Sequence, residues 1–312
     1  MKNKVVVVGT GFVGSSYAYS LVNQGVVDEL VLVDINKANT IANSDDLVQC
    51  VCYLDNQPKI KSGDYSDCKD ADIVCITAGA NQKPGQSRLE LVGINAKIME
   101  SIVKEIMASG FDGILLIASN PVDVMTQVAQ KVSGLDESRV IGSGTTLDSG
   151  RLRHFVGEYL DVNPKDVHAY IIGEHGDSSV PIWSHSYVGT KPILDIIKEN
   201  NNLTQEGLDE CFIKARDAAY RIIEGKGATY YGIGICLTEI TKAILRNKNI
   251  ILPCGAKLNG EYNQKDLYIA VPCVVGREGV KEIQQLNITS EEQEKFNNSC
   301  EQLRKTLKEI GY

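Results

Sequence analysis

Three glycines near the N-terminus strongly limit how this chain can fold. Gly9, Gly11 and Gly14 directly follow an apolar run at residues 5–8 and open a segment with helical spacing. In a strand–turn–helix unit, the first glycine permits the tight turn, the second lets a pyrophosphate approach the backbone, and the third lets helix and strand pack closely. The helix N-terminus then faces the phosphates with a partial positive charge. The motif predicts a dinucleotide site.

An acidic residue at the end of the second apolar run supports this prediction. Asp34 lies about 20 residues after Gly14, where a carboxylate can accept hydrogen bonds from the adenine ribose hydroxyls. A carboxylate there would repel a 2′-phosphate, so we expect NAD rather than NADP as the cofactor. The alternative is a turn at a sheet edge, capped by this aspartate, with no nucleotide.

The order of apolar runs predicts the fold class. Continuous apolar runs of this length are typical of strands buried on both faces of a parallel sheet, and they occur at residues 5–8, 30–35, 72–79, 113–120 and 139–144. Residues 88–109 lie between two of them and carry the apolar stripe of a helix. Strand and helix therefore alternate, which predicts an α/β fold with a doubly wound Rossmann domain over residues 1–145.

After residue 145 the pattern changes to helices mixed with short strands. Strands are predicted at residues 168–172 and 266–275, and a surface helix at 290–310. This pattern favours an α+β substrate domain over residues 146–312. No linker rich in Pro, Gly or Ser separates the two parts, so we expect them to share an extensive interface.

Charge and cysteine use exclude several classes of function. The formal net charge of −8 over 312 residues argues against nucleic acid or an acidic membrane surface as the main partner, because both demand a basic face. The nine cysteines form no CxxC pair and no His/Cys cluster at metal-ligand spacing, so we expect buried reduced thiols, no metal site and a cytoplasmic location. The N-terminal apolar run is too short for a signal peptide, and no run approaches the ~20 residues of a membrane span.

Four longer motifs lie at the ends of predicted elements, at residues 78–92, 119–123, 142–153 and 171–184. In this order and spacing the chain closely resembles the L-lactate dehydrogenases of the lactate/malate dehydrogenase family, over essentially its whole length. The resemblance implies hydride transfer between L-lactate or pyruvate and the nicotinamide ring, in a homotetramer. The sequence departs from the family's pattern at Gly150, where the family usually has alanine, and over residues 39–60, which match poorly.

His175 is the candidate acid–base. It is one of four histidines, with 154, 168 and 185, and it is flanked by Gly173 and Gly176 after a predicted strand. This pattern predicts an exposed, tightly turned position rather than a satisfied core histidine, and the pKa of histidine suits proton transfer near neutrality. By resemblance, His175 exchanges the proton of the substrate hydroxyl.

The resemblance also assigns the residues around this histidine. Asp148 would fix the imidazole tautomer, with a helix N-cap as its alternative role. Arg151 would bind the substrate carboxylate in a bidentate manner, and Arg88 would polarise the reacting carbonyl from a loop that Gly79, Pro84 and Gly85 mark as a lid. Substrate contacts are also expected from Asn120, Asp123 and Thr229. Cofactor contacts beyond those already named are expected from Val13, Tyr65, Gly79, Ala80, Ser101, Ala118, Asn120 and Ser143.

Gln82 is the residue expected to select the substrate. By resemblance, lactate enzymes carry glutamine here and malate enzymes carry arginine. An arginine would pair with the second carboxylate of oxaloacetate, whereas beside the methyl group of pyruvate it would be an enclosed charge without a partner. We therefore expect pyruvate, with malate or a longer 2-hydroxy acid as alternatives. A non-enzymatic NAD-binding module would be favoured by loss of His175, Asp148 or Arg151, and all three are present.

A regulatory site is suggested by Arg153. Two residues along a helix correspond to about 200° of rotation, so if Arg151 faces the active site, Arg153 faces nearly the opposite way. By resemblance, Arg153 and His168 are the pair that binds fructose 1,6-bisphosphate at a subunit interface in allosteric bacterial enzymes. The alternative is that both residues are present without any response to the sugar phosphate.

Overall fold

The computed structural model describes residues 3–80, 85 and 87–312, and the predictions made for Gln82 and Pro84 lie outside this range. The strands are β1 (Lys4–Val8), β2 (Glu29–Val33), β3 (Lys59–Ser62), β4 (Ile73–Ile76), β5 (Ile114–Ile117), β6 (Val140–Gly142), β7 (Val167–His168), β8 (Ile171–Ile172), β9 (Val180–Pro181), β10 (Tyr187–Val188), β11 (Lys191–Pro192), β12 (Ile250–Asn259), β13 (Lys265–Gly276) and β14 (Gly279–Ile283). The α-helices are α1 (Phe12–Asn23), α2 (Lys37–Gln49), α3 (Arg88–Ala108), α4 (Val122–Ser133), α5 (Thr146–Leu160), α6 (Ile193–Glu199), α7 (Gln205–Lys226), α8 (Tyr231–Leu245) and α9 (Ser290–Glu309).

Six parallel strands form the centre of the N-terminal half. Their order is β3-β2-β1-β4-β5-β6, the order of a doubly wound dinucleotide-binding sheet. All five strands predicted in this half are confirmed, and β1, β4, β5 and β6 are buried along their whole length. β3 was not predicted because this edge strand has the sequence KIKS, in which exposed lysines alternate with half-buried residues.

The sheet does not stop at the end of the N-terminal half. β6 pairs antiparallel with β12 through one residue pair, Gly142 and Gly255, and β13 and β14 then extend the same nine-stranded sheet. A Cβ added to Gly255 would lie 3.1 Å from the Cα of Gly142, so the two backbones touch where the halves meet. The antiparallel component expected after residue 145 is present, and its longest strands are continuous with the parallel sheet.

The strand predicted at residues 168–172 is wrong as a single element. β7 ends at His168 and pairs with β10 in a three-stranded sheet, whereas β8 pairs with β9 in a separate hairpin. The chain passes from one small sheet to the next within these five residues. The predicted strand at 266–275 and the predicted helices at 88–109 and 290–310 are confirmed as β13, α3 and α9.

A ladder of polar contacts joins helices α1 and α8. The Tyr17 hydroxyl lies 2.5 Å from Thr241 Oγ1, and the Thr238 hydroxyl donates to Ser20 Oγ at 2.8 Å. At Gly234 an added Cβ would lie 3.0 Å from the backbone of Ser16, so the helices are in close contact. The helix that opens the glycine-rich motif is thereby fixed against a helix of the C-terminal half.

Candidate active site

The glycine-rich turn combines two tight contacts with one open position. Gly9 has φ +99°, and a Cβ on Gly14 would lie 1.9 Å from the carbonyl oxygen of Gly9. Both positions therefore require glycine. Among the residues that the structure describes, none would come within 4 Å of a Cβ on Gly11, so the backbone here borders open space. This arrangement, at the N-terminus of α1, fits a pyrophosphate group.

Asp34 stands at the end of β2 beside this turn. Its Oδ2 accepts a hydrogen bond from the Thr10 amide at 2.7 Å, and its Oδ1 accepts one from the Asn36 amide at 2.9 Å. Through these two contacts Asp34 caps the turn, which is the alternative role that the sequence suggested for it. The carboxylate is only half-buried, and two oxygens with about four lone-pair positions leave room for a ribose hydroxyl.

Asn95 on α3 organises the loops that follow β4 and β5. This buried side chain accepts a hydrogen bond from the Ala80 amide at 2.8 Å and donates to the carbonyl oxygen of Asn120 at 3.0 Å. Asn95 was not predicted as a functional residue, because an asparagine in the middle of a helical stripe has no local signal of function. The only available signal is that a polar residue occupies a position on the buried face.

The other cofactor candidates differ in exposure. Gly79 and Ser101 are exposed, Val13, Tyr65, Ala80 and Ala118 are half-buried, and Ser143 is buried after β6. Gly79 borders Asn95, since an added Cβ would lie 3.6 Å from its side-chain oxygen. Asn120 is exposed and precedes α4, and Thr229 is half-buried in the loop before α8.

An aromatic contact joins the glycine-rich turn to the loop that contains Thr229. Phe12 follows Gly11 in the glycine-rich turn, and its ring stacks on Tyr230 with centroids 5.1 Å apart. Tyr230 directly follows Thr229 in the chain. The structure therefore brings the loop predicted to line the substrate next to the turn predicted to hold the pyrophosphate.

His175 and Asp148 form a short hydrogen-bonded pair. Nδ1 of His175 lies 2.6 Å from Oδ2 of Asp148, and Nη1 of Arg151 lies 3.3 Å from the other carboxylate oxygen. The predicted exposed position of His175 is wrong in part, because its side chain is 32% exposed. The alternative role of Asp148 as a helix N-cap is also wrong, since Thr145 precedes α5 and Asp148 lies within its first turn.

Electrostatics in this cluster favour a charged pair. The negative charge of Asp148 raises the pKa of His175 to about 9, against the effect of burial, which lowers it. Burial alone would raise the pKa of Asp148, but the charges of His175 and Arg151 outweigh it and hold this pKa below its usual range. An imidazolium next to a carboxylate can give a proton to an oxygen and take it back.

Arg88 reaches the same loop from the start of α3. Its Nη2 lies 3.5 Å from Oε1 of Glu174, and its side chain is 71% exposed. Glu174 is buried, accepts a hydrogen bond from Ser178 and was not predicted from the sequence. Its position next to His175 in the 171–184 motif is the signal that could have found it.

Asp123 lies deeper than a substrate contact would require. It is 2% exposed in the first turn of α4, and its Oδ2 accepts a hydrogen bond from the His175 amide at 2.8 Å. Burial raises the pKa of Asp123 to about 7. The described contact of this carboxylate is thus with the backbone of His175.

Arg153 and His168 lie apart from the cluster around His175. Arg153 donates to the carbonyl oxygens of Pro164 and Lys165 at 3.2 and 3.1 Å, whereas Arg151 contacts Asp148. His168 is exposed and is the last residue of β7 rather than the start of a strand as expected. No hydrogen bond or ion pair joins Arg153 to His168 in the described structure.

The cysteines and possible metal ligands give no further candidate. All nine cysteines are free, six are buried, and Cys52 is exposed, contrary to the expectation of burial. Burial raises the pKa of the Cys236 and Cys254 thiols to about 12, which disfavours nucleophilic thiolates. Over residues 3–80, 85 and 87–312, no group of three His, Cys, Asp or Glu is placed to hold a metal ion, and no helix is long and apolar enough to cross a membrane.

Comparison with known families covers nearly the whole chain. Residues 3–142 match the NAD binding domain of lactate/malate dehydrogenase, and residues 145–311 match its alpha/beta C-terminal domain. The chain belongs to the lactate/malate dehydrogenase family. Its cofactor is accordingly NAD, and the open backbone at Gly11 together with Asp34 fits this dinucleotide.

Similar proteins within the lactate/malate dehydrogenase family include two Bacillus enzymes. The chain is 55% identical to L-lactate dehydrogenase 2 of Bacillus anthracis and 53% identical to L-lactate dehydrogenase 1 of Bacillus cereus, in each case over 98% of this chain and 97% of the relative. A lactate dehydrogenase from a Medee basin deep-sea metagenome library has a similar crystal structure, with a TM-score of 0.98 and 51% identity over the full length of both chains. The ligand-bound minor L-lactate dehydrogenase of Enterococcus mundtii gives a TM-score of 0.97 and 49% identity over 98% of each chain.

Proposed function

We propose that this protein is an NAD-dependent L-lactate dehydrogenase that interconverts pyruvate and L-lactate, as in the last step of fermentative glycolysis. The observation that carries the proposal is the 2.6 Å contact between His175 and Asp148, with Arg151 on the same carboxylate. The bound cofactor supplies or accepts the hydride. Gly9, Gly11 and Gly14 would hold its pyrophosphate, and Asp34 its adenine ribose.

His175 would transfer the proton. Because Nδ1 contacts Asp148, Nε2 is the nitrogen left to face the substrate oxygen. The imidazolium donates its proton to the carbonyl oxygen during pyruvate reduction, and the neutral ring takes it from the hydroxyl during lactate oxidation. Asp148 fixes the ring orientation and stabilises the charged form.

The arginines would bind and polarise the substrate. Arg151 offers a planar pair of donors for the substrate carboxylate, and the Asp148 contact holds its guanidinium near the imidazole. Arg88 would leave Glu174 and approach the reacting oxygen as negative charge develops there. Asn120 would contact the reacting oxygen and the nicotinamide, and Thr229 would line the space for the substrate methyl group.

Gln82 would select pyruvate over a dicarboxylate. The test is NADH oxidation with pyruvate, oxaloacetate and 2-oxoisocaproate offered separately to the wild type and to Gln82→Arg. We expect pyruvate to be preferred by the wild type and the preference to move toward oxaloacetate in the variant. Gln86→Arg is the matched control, because it adds the same charge four residues along the chain. Equal loss with both keto acids would remove Gln82 as the discriminator, and no turnover by the wild type would favour a binding module.

The protein would act as a homotetramer in the cytoplasm. Large side chains are exposed at helical spacing on neighbouring helices, with Tyr19 on α1 59% exposed and Tyr231 and Ile235 on α8 67% and 54% exposed. Exposed apolar surface of this kind is typical of subunit contacts. Light scattering should give about four times the chain mass for the wild type and a smaller mass for Ile235→Glu. A monomeric wild type would contradict the proposal.

Fructose 1,6-bisphosphate would be an activator bound by Arg153 and His168 from two subunits. His168 is exposed, and the Arg153 guanidinium is held at the surface by the carbonyl oxygens of residues 164 and 165. Millimolar effector should shift pyruvate saturation of the wild type and of the neighbouring control His154→Gln, but not of Arg153→Gln. An unmoved wild-type curve would exclude activation.

A further inference from the structure

Asp123 is a buried carboxylate that the proposed chemistry does not use. Its Oδ2 accepts the His175 amide, but Oδ1 has no hydrogen-bond partner within the part of the chain that the structure describes. A buried polar oxygen without a partner is costly, and a carboxylate is costlier than an amide of the same shape. The carboxyl group, which is ionised at pH values above its pKa of about 7, therefore needs a reason other than packing.

The neighbouring backbone shows what Asp123 does. Three consecutive amides are each hydrogen-bonded to a different element: Gly173 to the carbonyl oxygen of Ala270 on β13 at 2.9 Å, Glu174 to Ser299 Oγ on α9 at 2.8 Å, and His175 to Asp123 on α4 at 2.8 Å. Gly173 has φ +97° and no side chain of its own, and within the loop the Ser178 hydroxyl donates to Glu174. The three amide anchors come from outside the loop, and the one at His175 is a carboxyl group.

We propose that Asp123 is a positioning residue that fixes the backbone of His175 and contributes a second negative charge near its imidazole, rather than a ligand of the substrate. The inference rests on the proposed function, because it concerns proton transfer by His175. The ring would then be held from two sides, by Asp148 at Nδ1 and by Asp123 through the main chain.

A negative charge on Asp123 should change the pKa of the His175 imidazole in a definite direction. The charged groups that act on the imidazole are Asp148 and Arg151 from α5 and Asp123 from α4. Glu174 of the loop and the Cys300 thiol of α9 lie near Asp123. Burial raises the pKa of Cys300 to about 12, which leaves this thiol neutral. Asp148 raises the pKa of His175 most, and ionised Asp123 adds to it. Removal of the Asp123 charge should therefore lower the pKa of His175.

Two substitutions separate the anchor from the charge in the NADH-bound enzyme. Asp123→Asn keeps an oxygen that can accept the His175 amide and removes the charge, whereas Asp123→Ala removes both. We expect the alkaline limb of the pH profile of pyruvate kcat/KM to move to lower pH in both variants. Only Asp123→Ala should also lose kcat, by about 10- to 100-fold for a displaced acid–base, with unchanged NADH affinity. Ser299→Ala removes the neighbouring neutral anchor and should leave the pH limb in place.

The outcomes are distinct. An unmoved pH limb in Asp123→Asn overturns the proposal, and this variant decides the question even if Asp123→Ala does not fold. A rise in KM for pyruvate alone, with kcat and the pH limb unchanged, would make Asp123 a substrate ligand. If the wild type turns over no 2-oxo acid, the proposed function fails, and NADH affinity and thermal stability of the variants then report only on folding.

Discussion

The glycine-rich turn and the His175 centre prepare the protein for its ligands by opposite physical means. The turn works by the absence of side chains: Gly9 and Gly14 permit close contacts, and Gly11 leaves space open. The centre works by concentrating charge, with Asp123, Asp148 and His175 brought from separate segments. Cofactor binding should therefore depend on shape and backbone geometry, whereas turnover should depend on pH and on how distant elements are placed.

Substitution of His175, the proposed acid–base, should show most clearly that turnover and cofactor binding depend on different regions. We expect His175→Asn to lower kcat for pyruvate by roughly 100- to 10,000-fold, the usual contribution of a positioned proton donor. NADH affinity, measured by fluorescence titration, should stay near the wild-type value because the glycine-rich turn is untouched. His154→Asn, on the exposed surface of α5, is the matched control and should behave as the wild type. Comparable loss of NADH binding would show that the regions are not independent.

Two alanine substitutions test whether the glycine-rich turn requires positions without a side chain. In Gly14→Ala the new Cβ would lie 1.9 Å from a backbone oxygen, so the backbone must shift, at a cost of about 1–3 kcal/mol or more in the free energy of unfolding. In Gly11→Ala the Cβ comes within 4 Å of no neighbour in the described part of the chain, so stability should hold while NADH affinity falls. Thermal unfolding without cofactor and NADH titration measure the two effects. Equal destabilisation by both substitutions would contradict the comparison.

The smallest expected effect is the pH dependence of stability. The pKa of His175 is raised from 6.5 to about 9, so its stabilising contribution is fully present below pH 6.5 and is lost as pH rises through 9. Allowing for the partial exposure of the ring, the free energy of unfolding should fall by about 1–2 kcal/mol between pH 7 and pH 9. Urea denaturation at both pH values should show a weaker fall in Asp148→Asn. The same fall in both proteins would assign the effect to other groups.

Much of the cofactor half could be predicted from the sequence because its signals are local. The buried strands are continuous apolar runs, and the turn is a contiguous motif whose glycines have steric reasons. α3 begins at Arg88 with a capping box formed by Ser87 and Glu90, which is likewise local. The histidine–aspartate pair, in contrast, was assigned through resemblance, since residues 27 apart carry no sign of contact in their spacing.

The features that sequence analysis missed depend on pairing between distant segments. The break at residues 168–172 follows from which partners β10 and β9 offer, and no residue in that stretch interrupts the apolar pattern. Asn95 acts through loops 15 and 25 residues away. Asp123 was expected to face the substrate, and its burial beneath His175 follows from the packing of α4 against the rest of the chain.

The glycine pair at the centre of the sheet limits how this chain can be recombined. Gly142 and Gly255 are in close contact where β6 meets β12, since a Cβ on Gly255 would lie 3.1 Å from the Gly142 Cα, and an added Cβ on Gly144 would lie 2.6 Å from the Gly255 amide nitrogen. α5, which carries Asp148 and Arg151, begins two residues after Gly144. A chimaera that joins residues 3–142 of this chain to the C-terminal half of a relative should therefore be more stable when the relative also has glycine opposite residue 142. With a larger residue there, the backbones of β6 and β12 would have to shift by a few tenths of an ångström, and α5, which begins four residues after Gly142, lies directly beyond this contact.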